Sequence, residues 1–438
     1  MSTLANWTGN FKERYHKFIN PLAEQNSFAE HLEYIPQEFR PGLGYNVAVV
    51  TRNEHGQTAD ITSTAFAFKS AIDSKVENAR LDGATVGIVG NVPYDVSFKG
   101  NNGAGQGNQG GAFWKPYDLK VKMLVQSANL YRELLLMYGA GGAAFTTAAA
   151  NIGVFATTPT PAGTYAAGTA TGAITVATNA PGLWNMMLGA KVDIYNGSTL
   201  SRSAVEVKGY NPETGLLTLG DHADATGTGA GTVPVAGYYI VPHGWLTKSA
   251  VGLQAQLSNT TTMFGIDAAT VPMWRPIQLS VGGAMTANVI TGLAARLANN
   301  GGRGGKLFVS PATFADLVKD TIALQRYTEN TAKVKRQGAG QIAFETPVGP
   351  IEVVAHRYMK QSIAFFLPDG LAKRVGSTDV TFKGDGPNEF FFLELPSNAG
   401  YQLRVMQNQS AFIEIPYHAA ILTGIVNSTT SGATGGVA

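Results

Sequence analysis

Few residues in this chain have the types and spacing to do chemistry, and each such set fails on its surroundings. Gly105-Gln106-Gly107-Asn108-Gln109-Gly110 has the spacing of a dinucleotide fingerprint, whose glycines let the backbone approach a pyrophosphate at a helix N-terminus. That use needs a buried strand running straight into the loop. Here the nearest strand-like run ends at Phe98, and no acidic residue stands at a ribose-binding distance. Residues 301–306 (GGRGGK) only partly match a phosphate loop. The first required glycine falls at Asn300, and Leu307 replaces the hydroxyl that would hold magnesium.

The histidines (His16, His31, His55, His222, His243, His356, His418) lie in separate segments without a histidine or carboxylate at metal-ligand spacing. His31 and Glu33 are two residues apart, which on a helix turns them to different faces. His356, beside Arg357, reads as a surface or interface residue. No Gly-x-Ser-x-Gly elbow is present. The absence of cysteine excludes disulfides, thiolate nucleophiles and cysteine-held metals. The expectation is therefore no catalytic residue, no metal and no cofactor. Lys333, Lys335 and Arg336 form a small basic run, read as a solvated loop or as a contact with nucleic acid or a neighbour's carboxylates.

Composition narrows the class. The 438 residues suit two or three domains, and 44% hydrophobic residues give them cores. Charged residues are only 14%, against roughly 25% in ordinary soluble domains, which fits equally a chain that hides surface in subunit contacts and a neutral, Gly/Ala/Thr-rich secreted or surface protein. A net charge of +2 supplies no long-range field toward nucleic acid or an anionic membrane. Residues 1–18 carry Lys12, Glu13, Arg14 and Lys17 with no apolar core, unlike a signal peptide. The apolar stretch 134–145, broken by glycines, is too short to span a bilayer.

The elements follow from periodicity. Residues 45–52 (YNVAVVTR) and 57–68 (QTADITSTAFAF) read as a hairpin turning at Asn53-Glu54-His55-Gly56. An isolated hairpin is marginal in water, so another subunit is expected to support it. Pro116 opens a helix on which Tyr117, Val121, Leu124, Ala128, Tyr131, Leu135 and Tyr138 share one face, and Gly139 stops it. Residues 146–244 turn to Thr, Gly, Ala and Val, with short strands near 173–176, 190–195, 204–210, 216–219 and 238–241; they read as a small all-β insert. After it come a helix over 285–297, a strand at 306–309 and a helix begun by Ser310-Pro311. Strands follow at 351–355, 363–367, 379–382, 389–395, 401–406 and 411–415.

Taken in order, the arm, hairpin, glycine-rich stretch, long helix, α/β region and C-terminal strands resemble a tailed-phage major capsid protein of the Hong Kong 97-like fold. The resemblance rests on 45–68, KMLVQSANLYRELLLMYG (122–139), LFVSPATFADLVKDTIALQRYT (307–328), residues 351–382 and YQLRVMQNQSAFIEIPYHAAILTGI (401–425). It implies an α+β fold with an N-terminal arm (1–40) and an extended loop region (41–114). A peripheral domain with a spine helix follows (115–145, continued at 246–304), interrupted by the inserted β-domain (146–245). An axial domain (305–395) and return strands with a tail (396–438) complete it.

The implied role is a structural shell subunit, not an enzyme. It would assemble with itself into hexamers and pentamers of an icosahedral capsid that encloses double-stranded DNA without sequence-specific binding. The virion would be built in the host bacterial cytoplasm with no membrane partner, with a portal and a decoration protein as possible partners. With Met1 present and the hairpin starting near residue 45, no long scaffolding extension fits, so a separate scaffolding protein, or none, is expected. Arg52, Glu54, His55 and Lys69 on the loop, with Lys333, Lys335 and Arg336, are the subunit-interface candidates, and no covalent crosslinks are expected. The competing readings are an encapsulin-like compartment, a β-rich surface or adhesion protein, and an enzyme.

Overall fold

The computed structural model describes residues 28–35, 45–58, 70–81, 83–93, 116–139, 152–155, 170–177, 180–211, 215–220, 237–246, 248–260, 262–325, 341–382, 393–394 and 400–427. The fold is mixed α/β, with strands outnumbering helices among these residues.

The long helix runs Pro116–Tyr138. Proline at its first position lacks only an N–H that no helical carbonyl would take. It stops at Gly139, where a Cβ would overlap the Ala250 carbonyl oxygen, so only glycine fits the close approach of the 250–252 backbone. The expected face is half the account. Leu124 and Ala128 pack on Val92, Leu403 and Val405 of a sheet below. The last two turns are buried all round, Leu130, Glu133, Leu134, Leu136 and Met137 included. A helix wedged between several layers needs apolar residues on every side.

The sheet under the helix orders strands Glu33–Ile35, Ala372–Phe382, Gly400–Ile413 and Ala84–Pro93, with Leu393–Glu394 beside the start of Gly400–Ile413. The two strands read from sequence at 401–406 and 411–415 are one. The polar stretch Gln407–Ser410 is not a break, because Gln409 lies inside the sheet–helix layer and binds Asp379 and Arg374.

The hairpin also needs correction. Tyr45–Arg52 pairs with Lys75–Leu81, and the ladder continues outward through His55↔Ile72. Asn53–Gly56 is therefore not the turn; pairing runs past it. The candidate strand 57–68 lies almost wholly outside the described residues, as do Lys69, Lys333, Lys335, Arg336 and the glycine-rich stretch at 100–112.

Six strands between Gly153 and Pro242 close an antiparallel barrel. Its interior is filled by Val192, Ile194, Val205, Val207, Leu217, Leu219 and Ile240, and these join one core with Leu134, Met137 and Tyr138 of the helix. A six-stranded mixed sheet has the order Ile277–Gly283, Ala420–Ile425, Ile363–Pro368, Gly305–Val309, Gly349–Ala355, Gln341–Thr346. It reaches outside the 305–395 span at both ends. Period-two alternation splits its faces: Leu307, Val309, Val353 and Phe366 meet Ile290, Leu293 and Leu297 of helix Ala287–Asn299. Phe308, Val354 and Phe365 enter the core shared with the barrel and long helix. Helix Pro311–Gln325 begins at Ser310, whose hydroxyl accepts the Thr313 N–H at 3.2 Å.

Candidate functional site

Two regions combine exposure or burial with specific polar contacts: the hairpin, and the place where residues 28–35 meet the body. On the hairpin, Tyr45, Val47 and Val49 turn inward onto Ile266, Ala268, Trp274 and Phe412. The opposite side leaves Val50, Val76 and Ile72 about half exposed, at 49%, 58% and 53%. Arg52, Glu54 and His55 are all exposed at this outer end. Arg52 donates Nε–H to the Asp73 carbonyl at 2.9 Å, and His55 and Ile72 exchange backbone bonds at 3.0 and 2.7 Å. Of the expected interface residues, these three come together here.

Sequence reasoning missed the second region, because its partners are more than a hundred residues apart. Glu133, on the buried turn of the long helix, accepts the backbone N–H groups of Phe28 at 2.8 Å and Ala29 at 3.2 Å. Phe28 sits fully buried, edge-on to Phe308 with centroids 4.7 Å apart. Residues 33–35 then pair in parallel with 373–375, and Arg374 donates Nε–H to the Leu32 carbonyl at 3.2 Å. Lys306 Nζ stands 3.2 Å from His31 Nδ1. An N-terminal segment is thus pinned by a helix, a strand edge and the six-stranded sheet.

His356 lies beneath this anchor and corrects the sequence reading: it is 4% exposed, not a surface residue. The Tyr358 N–H donates to its Nδ1 at 3.3 Å, which leaves the ring proton on Nε2, 3.6 Å from the Glu133 carboxylate. Burial, with the neighbouring His31, pulls its pKa down to about 4 from 6.5. A depressed histidine stays neutral in the folded state while the unfolded chain takes a proton. The penalty is absent above pH 6.5 and grows as pH falls to 4, reaching roughly 3 kcal/mol. Urea unfolding of the wild type and His356→Gln from pH 7 to pH 4 should diverge by about that amount. Parallel curves would assign the acid sensitivity elsewhere.

Lys360 is a second buried ionisable group, 1% exposed. Its Nζ donates to Gln254 Oε1 at 2.8 Å and lies 4.5 Å over the Tyr138 ring. The Tyr138 hydroxyl donates to the Tyr358 carbonyl at 2.9 Å and accepts the Lys360 N–H at 3.2 Å. Burial pulls the Lys360 pKa down to about 7 and pushes Tyr138 up.

In the barrel, Asp193 accepts from Ala204 N–H at 2.9 Å, Gly244 N–H at 2.8 Å and Ser203 Oγ at 3.1 Å, with His243 Nδ1 at 2.8 Å. The serine hydroxyl donates to the carboxylate rather than to the imidazole, so this is no serine–histidine relay. The carboxylate instead holds the backbone at Ala204, which has φ 56°. Among the described residues no cluster of histidine and carboxylate side chains could hold a metal, and no helix is long and apolar enough to cross a membrane.

The sequence matches no protein-family model and no curated protein. Solved structures do match. The chain is similar to one in the cyanophage A-1(L) capsid asymmetric unit, at 10% identity over 97% of this chain and 99% of that chain, with a TM-score of 0.53. It is less similar to a Mycobacterium phage Cain chain, at 11% identity over 98% and 99% with a TM-score of 0.44. A third match is the SrpI encapsulin complex of Synechococcus elongatus, at 9% identity over 98% and 97% with a TM-score of 0.42. The chain therefore has the fold of a phage capsid chain.

Proposed function

We propose that this chain is the major capsid protein of a tailed double-stranded DNA bacteriophage, of the Hong Kong 97-like fold, assembling hexamers and pentamers of an icosahedral shell. The observation that carries the reading is the fold shared over 97% of this chain and 99% of the cyanophage capsid chain. The exposed apolar residues Val50, Ile72 and Val76, on an element that is two-stranded among the described residues, support it. Such an element gains stability by packing on a neighbour. Low charge points the same way.

In this reading the hairpin region is the extended loop, with Arg52, Glu54, His55 and Lys69 meeting a neighbouring subunit. The long helix is the spine, and the barrel is the inserted β-domain. The six-stranded sheet with its two helices is the axial unit, drawing in 277–283 and 420–425. Lys333, Lys335 and Arg336 are the further candidates for contact with a neighbouring subunit. A separate scaffolding protein, a portal and a decoration protein are the expected partners within the virion, and the DNA is enclosed without sequence-specific contacts.

Negative-stain microscopy of the purified full chain, alone and co-expressed with its neighbouring genes, tests the proposal. Rings or closed shells are expected. A folded single molecule at high concentration in both preparations overturns it, and shells filled with protein cargo in place of DNA make it an encapsulin.

A further inference from the structure

Two imidazoles sit at the anchor of the N-terminal segment, one on the segment and one on the body. His31 ends the short turn Phe28–His31, and His356 follows strand Gly349–Ala355. Both rings are used as hydrogen-bond acceptors. The Lys306 ammonium has only protons to give, so at 3.2 Å it donates to His31 Nδ1. His356 Nδ1 accepts the Tyr358 N–H at 3.3 Å. An imidazolium donates from both nitrogens and accepts at neither. A proton on either ring therefore breaks the contact that its Nδ1 makes.

The same rings touch what holds the segment down. His356 lies edge-on to Phe28 with centroids 6.0 Å apart, and His31 tilts against Phe308, the ring on which Phe28 packs, at 5.4 Å. The charges around them are mixed. Lys306 faces His31 from strand Gly305–Val309, and Glu352 from the strand paired with it. Glu30 is on the segment itself and exposed. Glu133 stands 3.6 Å from His356 Nε2, beyond a hydrogen bond, while its oxygens hold the Phe28 and Ala29 N–H groups. Tyr358 meets His356 edge-on as a phenol whose pKa burial pushes up, and Arg357 lies over Gly182 instead. The carboxylates do not prevail. Burial acts first at both rings and draws each pKa below 6.5, His356 to about 4.

We propose that residues 28–35 form a strap that acid unhooks, its release taking up one proton at His31 and one at His356. Little else has to open. The strap holds by three strand pairs, one buried aromatic ring and a few backbone bonds, whereas the sheets behind it keep cores of their own. The docked rings hold protons more poorly than free ones. Docking is therefore at full strength above pH 6.5 and weakens as pH falls below it. The strap is a property of the single chain, independent of the shell reading.

Hydrogen exchange of the full chain at pH 7, 6 and 5, corrected for intrinsic rates, reads the strap directly. Protection at the Phe28 and Ala29 amides should fall at least about twentyfold from pH 7 to pH 5. That is the factor His356 alone gives, at about 4 docked and 6.5 released. It should also stay below the protection of Leu307, in the middle of the six-stranded sheet, at every pH. His356→Gln should remove about twentyfold of the fall, and His31→Gln and Lys306→Met should each make it shallower. A smaller fall in the wild type, or protection equal to that of Leu307, overturns the strap. So does an undiminished fall in both His31→Gln and Lys306→Met, which change only partly buried side chains and leave the cores intact.

Discussion

Lys360→Met is expected to stabilise the protein at neutral pH and to abolish a rise in stability of about 2 kcal/mol between pH 7 and pH 9. The Lys360 amine is 1% exposed and its pKa is drawn down to about 7 by burial, against 10.5 in an unfolded chain. The folded state thus releases its proton near pH 7 while the unfolded state keeps one up to pH 10.5. Between those values the unfolded chain binds more protons, so stability climbs with pH; below 7 the penalty is present in full. Methionine has nearly the same length and no charge to desolvate. Gln254, left without its donor, is only partly buried and can turn to water. The gain at pH 7 should be roughly 1–4 kcal/mol, the range seen when buried charge gives way to apolar packing. Urea unfolding of both proteins at pH 7 and pH 9 measures it. A wild type and variant that keep a constant difference across that range would show that the amine does not titrate there.

Glu133→Ala should act in the opposite direction, lowering stability by roughly 3–4 kcal/mol and freeing the N-terminal segment. Truncation leaves the Phe28 and Ala29 N–H groups buried without their acceptor, each costing about 1–3 kcal/mol, and opens a small cavity besides. Glu133→Gln keeps one carbonyl oxygen and should lose about half as much. Glu33→Ala removes only a 69% exposed carboxylate, where the ion pair is worth under about 1 kcal/mol. Hydrogen exchange at the two amides, read beside the thermal melt, separates local release from global loss. Unchanged exchange at Phe28 and Ala29 in Glu133→Ala would show that something else pins the segment.

Release of this segment would matter for assembly if residues before Phe28 reach a neighbour, as the proposed shell requires of an arm. The anchor joins groups that no local pattern connects: a glutamate in mid-helix, a histidine after a strand, and an arginine on a strand edge. Each was visible in the sequence only as one polar residue among others. Glu133 falls within the apolar run LYRELLLMY and reads as a solvated position until the structure buries both sides of the helix. His356 misled for the same reason. Its neighbour Arg357 stays partly exposed at the turn that follows strand Gly349–Ala355, while His356 packs against Phe28 of the distant N-terminal segment.

What the sequence determined alone is the part governed by short-range sterics and periodicity. The long helix, with its proline start and glycine stop, spans Pro116–Tyr138. Helix Pro311–Gln325 is capped by its serine, and the barrel strands rise out of a Thr/Gly/Val-rich stretch. These follow from residues within a few positions of one another, where backbone geometry leaves little choice. Strand partners were decided only by the tertiary structure. Tyr45–Arg52 took Lys75–Leu81 across a long connection, and Gly400–Ile413 absorbed a polar stretch because Asp379 and Arg374 were there to receive it. Alternation fixes which face of a strand is apolar but says nothing about which distant edge it meets, since ladder bonds are made by backbone common to every residue.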